Sequence, residues 1–324
     1  MNCLAAIKKL AAALCLLAAG LVHAQTYPWK PVRIVIPFPA GGDTEGAARF
    51  VANHLSKAMG QPFVIEARPG GNTIIGAEAV ATSPGDGHTL FFCGPSTFTI
   101  NPTFYGAKLP YNYERDFTPV SVISSTPYFI VVASSLPAKT MPELLALARA
   151  EPGKLSYVSS GNGSSNHLAY EILARAAGVR MIHVPYKGIG LAIPDVLSGR
   201  VTTLMAGQPI VGPNVKAGKF RAIGVTSLAR SSLMPEVPAI SEAVPGFDII
   251  AWFALFAPSK TPADTVARLN GEIRKYMATA EAKDEYLKIG HDPVGSTVEQ
   301  LAALVKADTA KYDRVIREAN IRLE

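Results

Sequence analysis

The stretch PVRIVIPFPAGGDTEGAAR, residues 31–49, decides the fold. Val32, Ile34, Val35 and Ile36 make a short β-branched run suited to a strand buried on both faces, and Pro37 and Pro39, which cannot donate to a ladder, end it. Ala40, Gly41 and Gly42 then let the backbone turn tightly. Asp43 or Thr44 is placed to cap a helix whose apolar residues Ala47, Val51, Leu55 and Ala58 recur at helical spacing. Strand, bare glycine loop and helix N-terminus gather unpaired N–H donors and about half a positive charge at one point. Such a point holds a carboxylate or a phosphate without any basic side chain. On its own this turn is common to α/β proteins. It is neither the dinucleotide fingerprint, since G-x-G-x-x-G is missing, nor a P-loop, since no Gly-Lys-Ser or Gly-Lys-Thr follows.

A second copy of the design stands at LSYVSSGNGSSNH, residues 155–167. A strand leads into a Ser, Gly and Asn loop, and a helix starts near Ser164. Serine hydroxyls add O–H donors to the N–H groups, and Ser164 is best explained as a cap. If each half of the chain supplies one such loop, a single anionic or polar ligand bridges both. Ser164 and His167, three residues apart, invite a comparison with a nucleophile and its base. No G-x-S-x-G elbow exists, however, and no acid is placed to orient the imidazole. A packing or hydrogen-bonding role for His167 is the stronger expectation, and an exported Ser/His hydrolase is the alternative from another class.

Outward from these loops, residues 1–24 read as a cleavable signal: Lys8 and Lys9 precede an apolar run from Leu10 to Val22, and Val22-His23-Ala24 is a small-residue cleavage site. The apolar run is shorter than the roughly 20 residues a membrane helix needs. With Cys3 and Cys15 removed, Cys93 is the one cysteine of the mature chain, so no internal disulfide is available. The 31 basic residues, less Lys8 and Lys9, against 25 acidic ones leave a net charge of +4. This mild excess is spread along the chain and gives nucleic-acid binding no support. His54, His88, His183 and His291 are scattered without ligand spacing, so no metal or cofactor is expected.

Strand and helix patterns alternate from Val32 onward, with strands at 62–66, 88–93, 155–159, 181–184, 201–205 and 220–225 and helices at 73–81, 141–150, 164–177, 191–197 and 262–277, and at 298–316 with Val298, Leu301, Val305, Tyr312 and Ile316 on roughly one face. The turn ARPGGNTIIG, residues 67–76, reads as structural, and residues 94–108 as a long ordered loop. Two apolar runs, YFIVVA at 128–133 and IIAWFALFA at 249–257, read as crossings between two α/β lobes with a ligand cleft between them. The alternative is one large doubly wound sheet, to be distinguished by whether residues 298–324 pack on 32–66 or on 155–205.

Seven motifs in register carry a resemblance over nearly the whole mature chain: YPWKPVRIVIPFPAGGDTEGAAR from Tyr27, EARPGGNTIIGAEAVATSPGDGHTL from Glu66, NPTFYGAKLPYNYERDFTPV from Asn101, PGKLSYVSSGNGSSNHLAYE from Pro152, HVPYKG from His183, VKAGKFRAIGVTSLARSSLMPEVPAISEAVPGF from Val215 and APSKTPADTVARLNGEI from Ala257. The chain resembles the tripartite tricarboxylate transporter substrate-binding receptors, the Bug-type or TctC-like periplasmic solute receptors. The resemblance implies an α/β, two-lobe, type II-like Venus-flytrap with lobes linked by two crossover strands. Residues 25–126 plus 253–324 would form the first lobe and residues 127–252 the second. It also implies a periplasmic monomer that captures a small carboxylated solute and delivers it to a permease of one large and one small subunit. A sensor protein is the alternative recipient.

Carried to this sequence, the family's carboxylate site falls on Phe38, Pro39, Ala40, Gly41, Gly42 and Thr44 in the first lobe. In the second it falls on Ser159, Ser160, Gly161, Asn162, Gly163, Ser164 and His167. Gln208 and the segment 96–99 are candidates for reading the distal end of the solute. The family usually has Asp where Glu45 stands. Carboxylates at Asp43 and Glu45 beside an anion site raise the expectation of a solute that also carries a nitrogen.

Overall fold

The computed structural model describes residues 26–39, 43–186 and 188–322, without the side chain of Asp43. The signal segment with its cleavage site, and the loop residues Ala40, Gly41 and Gly42, lie outside the described residues. The opening apolar run forms β1 (Val32–Ile36), flanked in parallel by β2 (Phe63–Ala67) and β3 (Thr89–Cys93), with Ile34 in register with both Ile65 and Leu90. Helix α1 (Asp43–Met59) packs Ala47, Val51 and Leu55 on one face of this sheet, and α2 (Ile74–Ala81) packs Ala77 and Val80 on the other. A strand covered on both faces has no polar side to alternate. Phe91 and Phe92, consecutive on β3, accordingly point into two different cores.

The chain leaves this sheet along β4 (Phe117–Pro127), and Tyr128 separates it from β5 (Phe129–Ala133), the first strand of a second sheet. There α3 (Met141–Ala150), β6 (Ser156–Ser159), α4 (Ser165–Ala177), β7 (Ile182–Pro185), β8 (Thr203–Ala206), α5 (Gln208–Lys216) and β9 (Phe220–Val225) follow. The chain returns through β10 (Ile250–Pro258), which runs antiparallel to β4 with Ile250 opposite Pro127. It finishes with α6 (Ala263–Met277), α7 (Ala280–Lys288), the short β11 (Asp292–Pro293) and α8 (Val298–Glu318), whose start is fixed by a Thr297 and Gln300 capping box. The first sheet has the order β11-β4-β10-β3-β1-β2 and the second β7-β6-β8-β5-β9.

Two separate sheets, each with its own pair of cores, make this a two-lobe Venus-flytrap rather than one doubly wound sheet. The two crossings are tied together by Thr226: its N–H donates to the Tyr128 carbonyl at 2.9 Å, its hydroxyl accepts from the Tyr128 N–H at 2.8 Å, and its carbonyl accepts from the Ile249 N–H at 2.9 Å. The distinguishing contact is split: α8 lies mainly on the first lobe but outside 32–66, and its last turns reach α4, inside 155–205, so the two-lobe reading rests on the separate sheets. Helix α8 packs on β4 and residues 96–100 of the first sheet's territory and, through Tyr312 and Ile316, on Leu168 and Ile172 of α4 in the second.

The largest departure from expectation is the segment 94–108, which is a run of helical turns at Ser96–Ile100, Asn101–Tyr105 and Gly106–Lys108 rather than a loop. Its order comes from tertiary bonds that leave no period in the sequence. Asn101 Nδ2 donates to the Asn72 carbonyl at 2.7 Å, and Tyr111 Oη donates to the Thr97 carbonyl at 2.7 Å. Thr97, Phe98, Thr99, Ile100 and Asn101 are all buried. Residues 208–216, given no element from the sequence, are helical as well: Pro209 sits in the first turn, where no intrahelical N–H is needed.

Candidate functional site: the cleft between the sheets

In open parallel sheets the loops after the C-terminal ends of the strands form the ligand crevice. Here two such edges face one another. A cleft of about 750 Å³ is lined from the first lobe by Phe38, Pro39 and Thr44 after β1, by Gly94, Pro95 and Ser96 after β3, and by Asn72. The second lobe contributes Ser160, Ser164, Ser165 and Asn166 after β6, Ile189, Met205 and Ala206 at the end of β8, and Gly207, Pro209 and Ile210 after it. Thr126, Tyr128, Ala251, Phe253 and His291 close it on the side of the crossings. Among the described residues, no Lys, Arg, Asp or Glu side chain lines the cleft. An anion entering it meets helix N-termini and neutral polar groups.

The second loop is knotted around Asn166. Its Oδ1 lies 3.3 Å from the Ser160 N–H, 3.1 Å from the Ser160 hydroxyl and 2.8 Å from the Ser164 hydroxyl. Gly161 at φ +117° and Gly163 at φ +73° give the turn its shape. The Gly161 N–H donates to Ser159 Oγ at 3.0 Å, and the Gly163 N–H to His167 Nδ1 at 3.0 Å. Ser164 occupies the N-cap position but accepts nothing from the helix: its hydroxyl is also 2.6 Å from the Gly161 carbonyl. The expected cap is therefore a loop fastener instead. Ser160 and Ser164 bring both hydroxyls to the cleft wall, while the first turn of α4 presents the N–H groups that have no intrahelical acceptor.

His167 lies beneath the loop rather than in the cleft. It is buried and stacked on His183, with ring centroids 3.8 Å apart, and burial lowers its pKa to about 4. A neutral imidazole is what the bond from Gly163 requires, because a protonated ring has no lone pair to accept it. Ser159 is fully buried, and its hydroxyl is 2.5 Å from His183 Nε2. Ser164 and His167 form no hydrogen bond with each other.

Of the residues expected at the site, the structure brings Phe38, Pro39, Thr44, Ser160 and Ser164 together around the cleft, with Ser96 from the candidate distal segment. Ser159 and His167 support the second loop from behind, Gly161 and Gly163 shape it, and Asn162 is not on the cleft wall. Gln208 lines a separate depression with Gly212 and Lys216, and its neighbours Gly207 and Pro209 take the cleft positions. Glu45 does not line the cleft and is ion-paired with Arg49 one turn on, which removes part of the reason for expecting a nitrogen-bearing solute.

Asn72, Thr126, Tyr128, Phe253 and His291 were not foreseen. Asn72 belongs to the turn taken as structural, and its φ of +50°, followed by +75° at the β-branched Thr73, places left-handed backbone beside the cleft. The rule of strand C-termini would have pointed to Gly94–Ser96 and Gly207. No local signal marks His291, which reaches the cleft through tertiary packing alone.

Two lobes around a cleft that, among the described residues, is lined by no charged side chain define a solute-binding receptor. The chain belongs to a family of such proteins: the family described as tripartite tricarboxylate transporter family receptor matches residues 47–321. It is 38% identical over 294 residues to a Pseudomonas sp. strain P51 protein, the UPF0065 protein in the tcbD-tcbE intergenic region, covering 90% of this chain and 87% of that one. It is 31% identical over 307 residues to the protein BugT of Bordetella pertussis, covering 94% of each. Among solved structures, an R. palustris protein with adipate superposes with a TM-score of 0.81 at 34% identity, covering 92% of this chain and all (100%) of the other.

Proposed function

We propose that this receptor captures a small carboxylate-bearing solute between its lobes. The carboxylate is held by the helix N-termini and hydroxyls of the loops at residues 38–44 and 159–167. The observation that carries the reading is a cleft flanked by the N-termini of α1, α4 and α5 and, among the described residues, lined by no basic side chain. Adipate in the similar R. palustris structure supports the ligand class. The lobes are residues 25–126 with 253–324 and residues 127–252, and they close about the crossings tied by Thr226. The protein is exported to the periplasm with cleavage after Ala24, acts as a monomer without catalysis, and hands the solute to a tripartite tricarboxylate-type permease of a large and a small subunit. A sensor protein is the second recipient to test. The bonding of the Ser164 hydroxyl to Gly161 and Asn166, and of His167 Nδ1 to Gly163, supports the non-catalytic reading over a hydrolase.

A thermal-shift screen across small mono-, di- and tricarboxylic acids and amino acids tests the reading. A true ligand at 100 times its dissociation constant adds about 2.7 kcal/mol of stability and raises the melting temperature visibly. A screen in which sugars or amines shift the melting temperature and carboxylates do not would overturn it.

A further inference from the structure

His291 is a titratable side chain in the cleft that neither anion loop explains. It follows α7 on the way into β11, and the Thr126 hydroxyl, donating to the Gly290 carbonyl at 2.8 Å, pins the backbone just before it. The ring is held from two directions. Phe253 stacks on it with centroids 5.0 Å apart and 12° between planes, and Ser124 Oγ lies 3.1 Å from Nδ1. The residue is 2% exposed, yet it lines the cleft. Burial lowers its pKa to about 4, so one ring nitrogen carries a proton at neutral pH and the other does not.

Ser124 decides which. Its hydroxyl is fully buried, and His291 Nδ1 is the partner it meets among the described hydrogen bonds. A buried hydroxyl proton needs an acceptor, so Ser124 donates to Nδ1 and the imidazole proton sits on Nε2. Nε2 makes no hydrogen bond among the described residues and is not sealed in the core, so it is the ring edge that meets the cleft.

We propose that His291 is a specificity-determining residue: its Nε2–H donates to a second carboxylate of the solute, remote from the one held at the two loops. The cleft then selects diacids over monoacids of the same length. Ser124 acts through the ring as a positioning residue, fixing the tautomer. The inference rests on the receptor reading and adds to it a rule for the far end of the ligand.

The test is calorimetric titration of the straight-chain diacids from succinate to suberate, and of the matching monoacids from butyrate to octanoate, against the wild type, His291→Phe, His291→Gln and Ser124→Ala. The wild type binds its best diacid tighter than the matching monoacid by about tenfold or more, the usual scale for a bond to a charged group. His291→Phe keeps the stacked ring shape but loses that preference, bringing diacid affinity down to that of the matching monoacid. His291→Gln, whose amide still donates, retains part of it and carries the test should the Phe variant fail to fold. Ser124→Ala weakens the preference and shifts the ¹⁵N resonances of the ring toward mixed tautomers, a readout that lost packing alone would not move. Diacid affinity unchanged in His291→Phe, or both acids weakened equally, overturns the inference while leaving the receptor reading intact. A wild type that ignores both series overturns the inference as well, and only failure across the broader carboxylate screen removes the receptor reading too.

Discussion

Gly161 shows how much of the site depends on one backbone angle. At φ +117° no side chain sits comfortably, although the nearest atom to an added Cβ is the Tyr186 carbonyl oxygen at 4.0 Å, so space is not the obstacle. Gly161→Val is expected to cost about 1–3 kcal/mol of backbone strain. The protein should remain folded by circular dichroism while the ligand-induced rise in melting temperature disappears. His167 makes the complementary case from beneath the loop. Replacing it with Phe preserves the stack on His183 but leaves the Gly163 N–H without an acceptor, which costs about 1–3 kcal/mol in urea denaturation. The sequence made the glycines legible as turn formers, because turn chemistry is local. It could not show that Ser164 would donate to Gly161 and Asn166 instead of capping, since an N-cap and a loop fastener use the same residue in the same place.

Among elements, α8 connects most widely. Its first half sits in the core under β4, and its last turns cross to α4 of the other sheet, where Ile100, Leu168, Tyr312 and Ile316 form a small cluster with Phe104, Ile172 and Ile321 at its edge. The helix was readable from its period, Leu301, Val305, Tyr312 and Ile316 falling on one side. Its partner was not, because an apolar stripe states that something covers it without saying what. The same limit hid the helical turns at 96–105, which polar side chains order by bonds to Asn72 and within the segment. Two changes at this junction separate packing from charge. Ile316→Ala, at a site 4% exposed, is expected to cost about 2–4 kcal/mol. Arg175→Ala, which breaks a pair with Glu318 at 3.5 Å between exposed side chains, should stay within about 0.5 kcal/mol. Equal costs in urea melts would mean that the helices are joined by charge and not by the apolar cluster.

For the molecule as a whole, two buried neutral histidines set an acid limit. His167 supports the second lobe's loop, His291 lies at the crossings, and burial holds each near a pKa of about 4; His54 shifts in the same direction. In the unfolded chain each imidazole takes a proton near pH 6.5, so between about pH 6.5 and pH 4 the unfolded state binds more protons than the folded one. Stability therefore falls as the pH drops through that window and is fully present above it. For two groups moved this far, going from pH 7 to pH 5 costs about 4 kcal/mol, a large share of the roughly 5–15 kcal/mol that holds a folded domain. The carboxyl groups of Asp86, Asp116 and Asp313 are held below their usual value by their basic and hydrogen-bonding partners, so their loss comes at lower pH, while burial raises Asp292, which opposes the histidines as the pH falls. Urea denaturation at pH 7 and pH 5 should show the drop in the wild type. A His167→Phe, His291→Phe double variant, lower in stability at pH 7, should show a much flatter dependence. If its stability falls as steeply as that of the wild type, buried imidazoles are not what limits the receptor in acid, and the neutral rings argued for both loop and cleft lose their thermodynamic support.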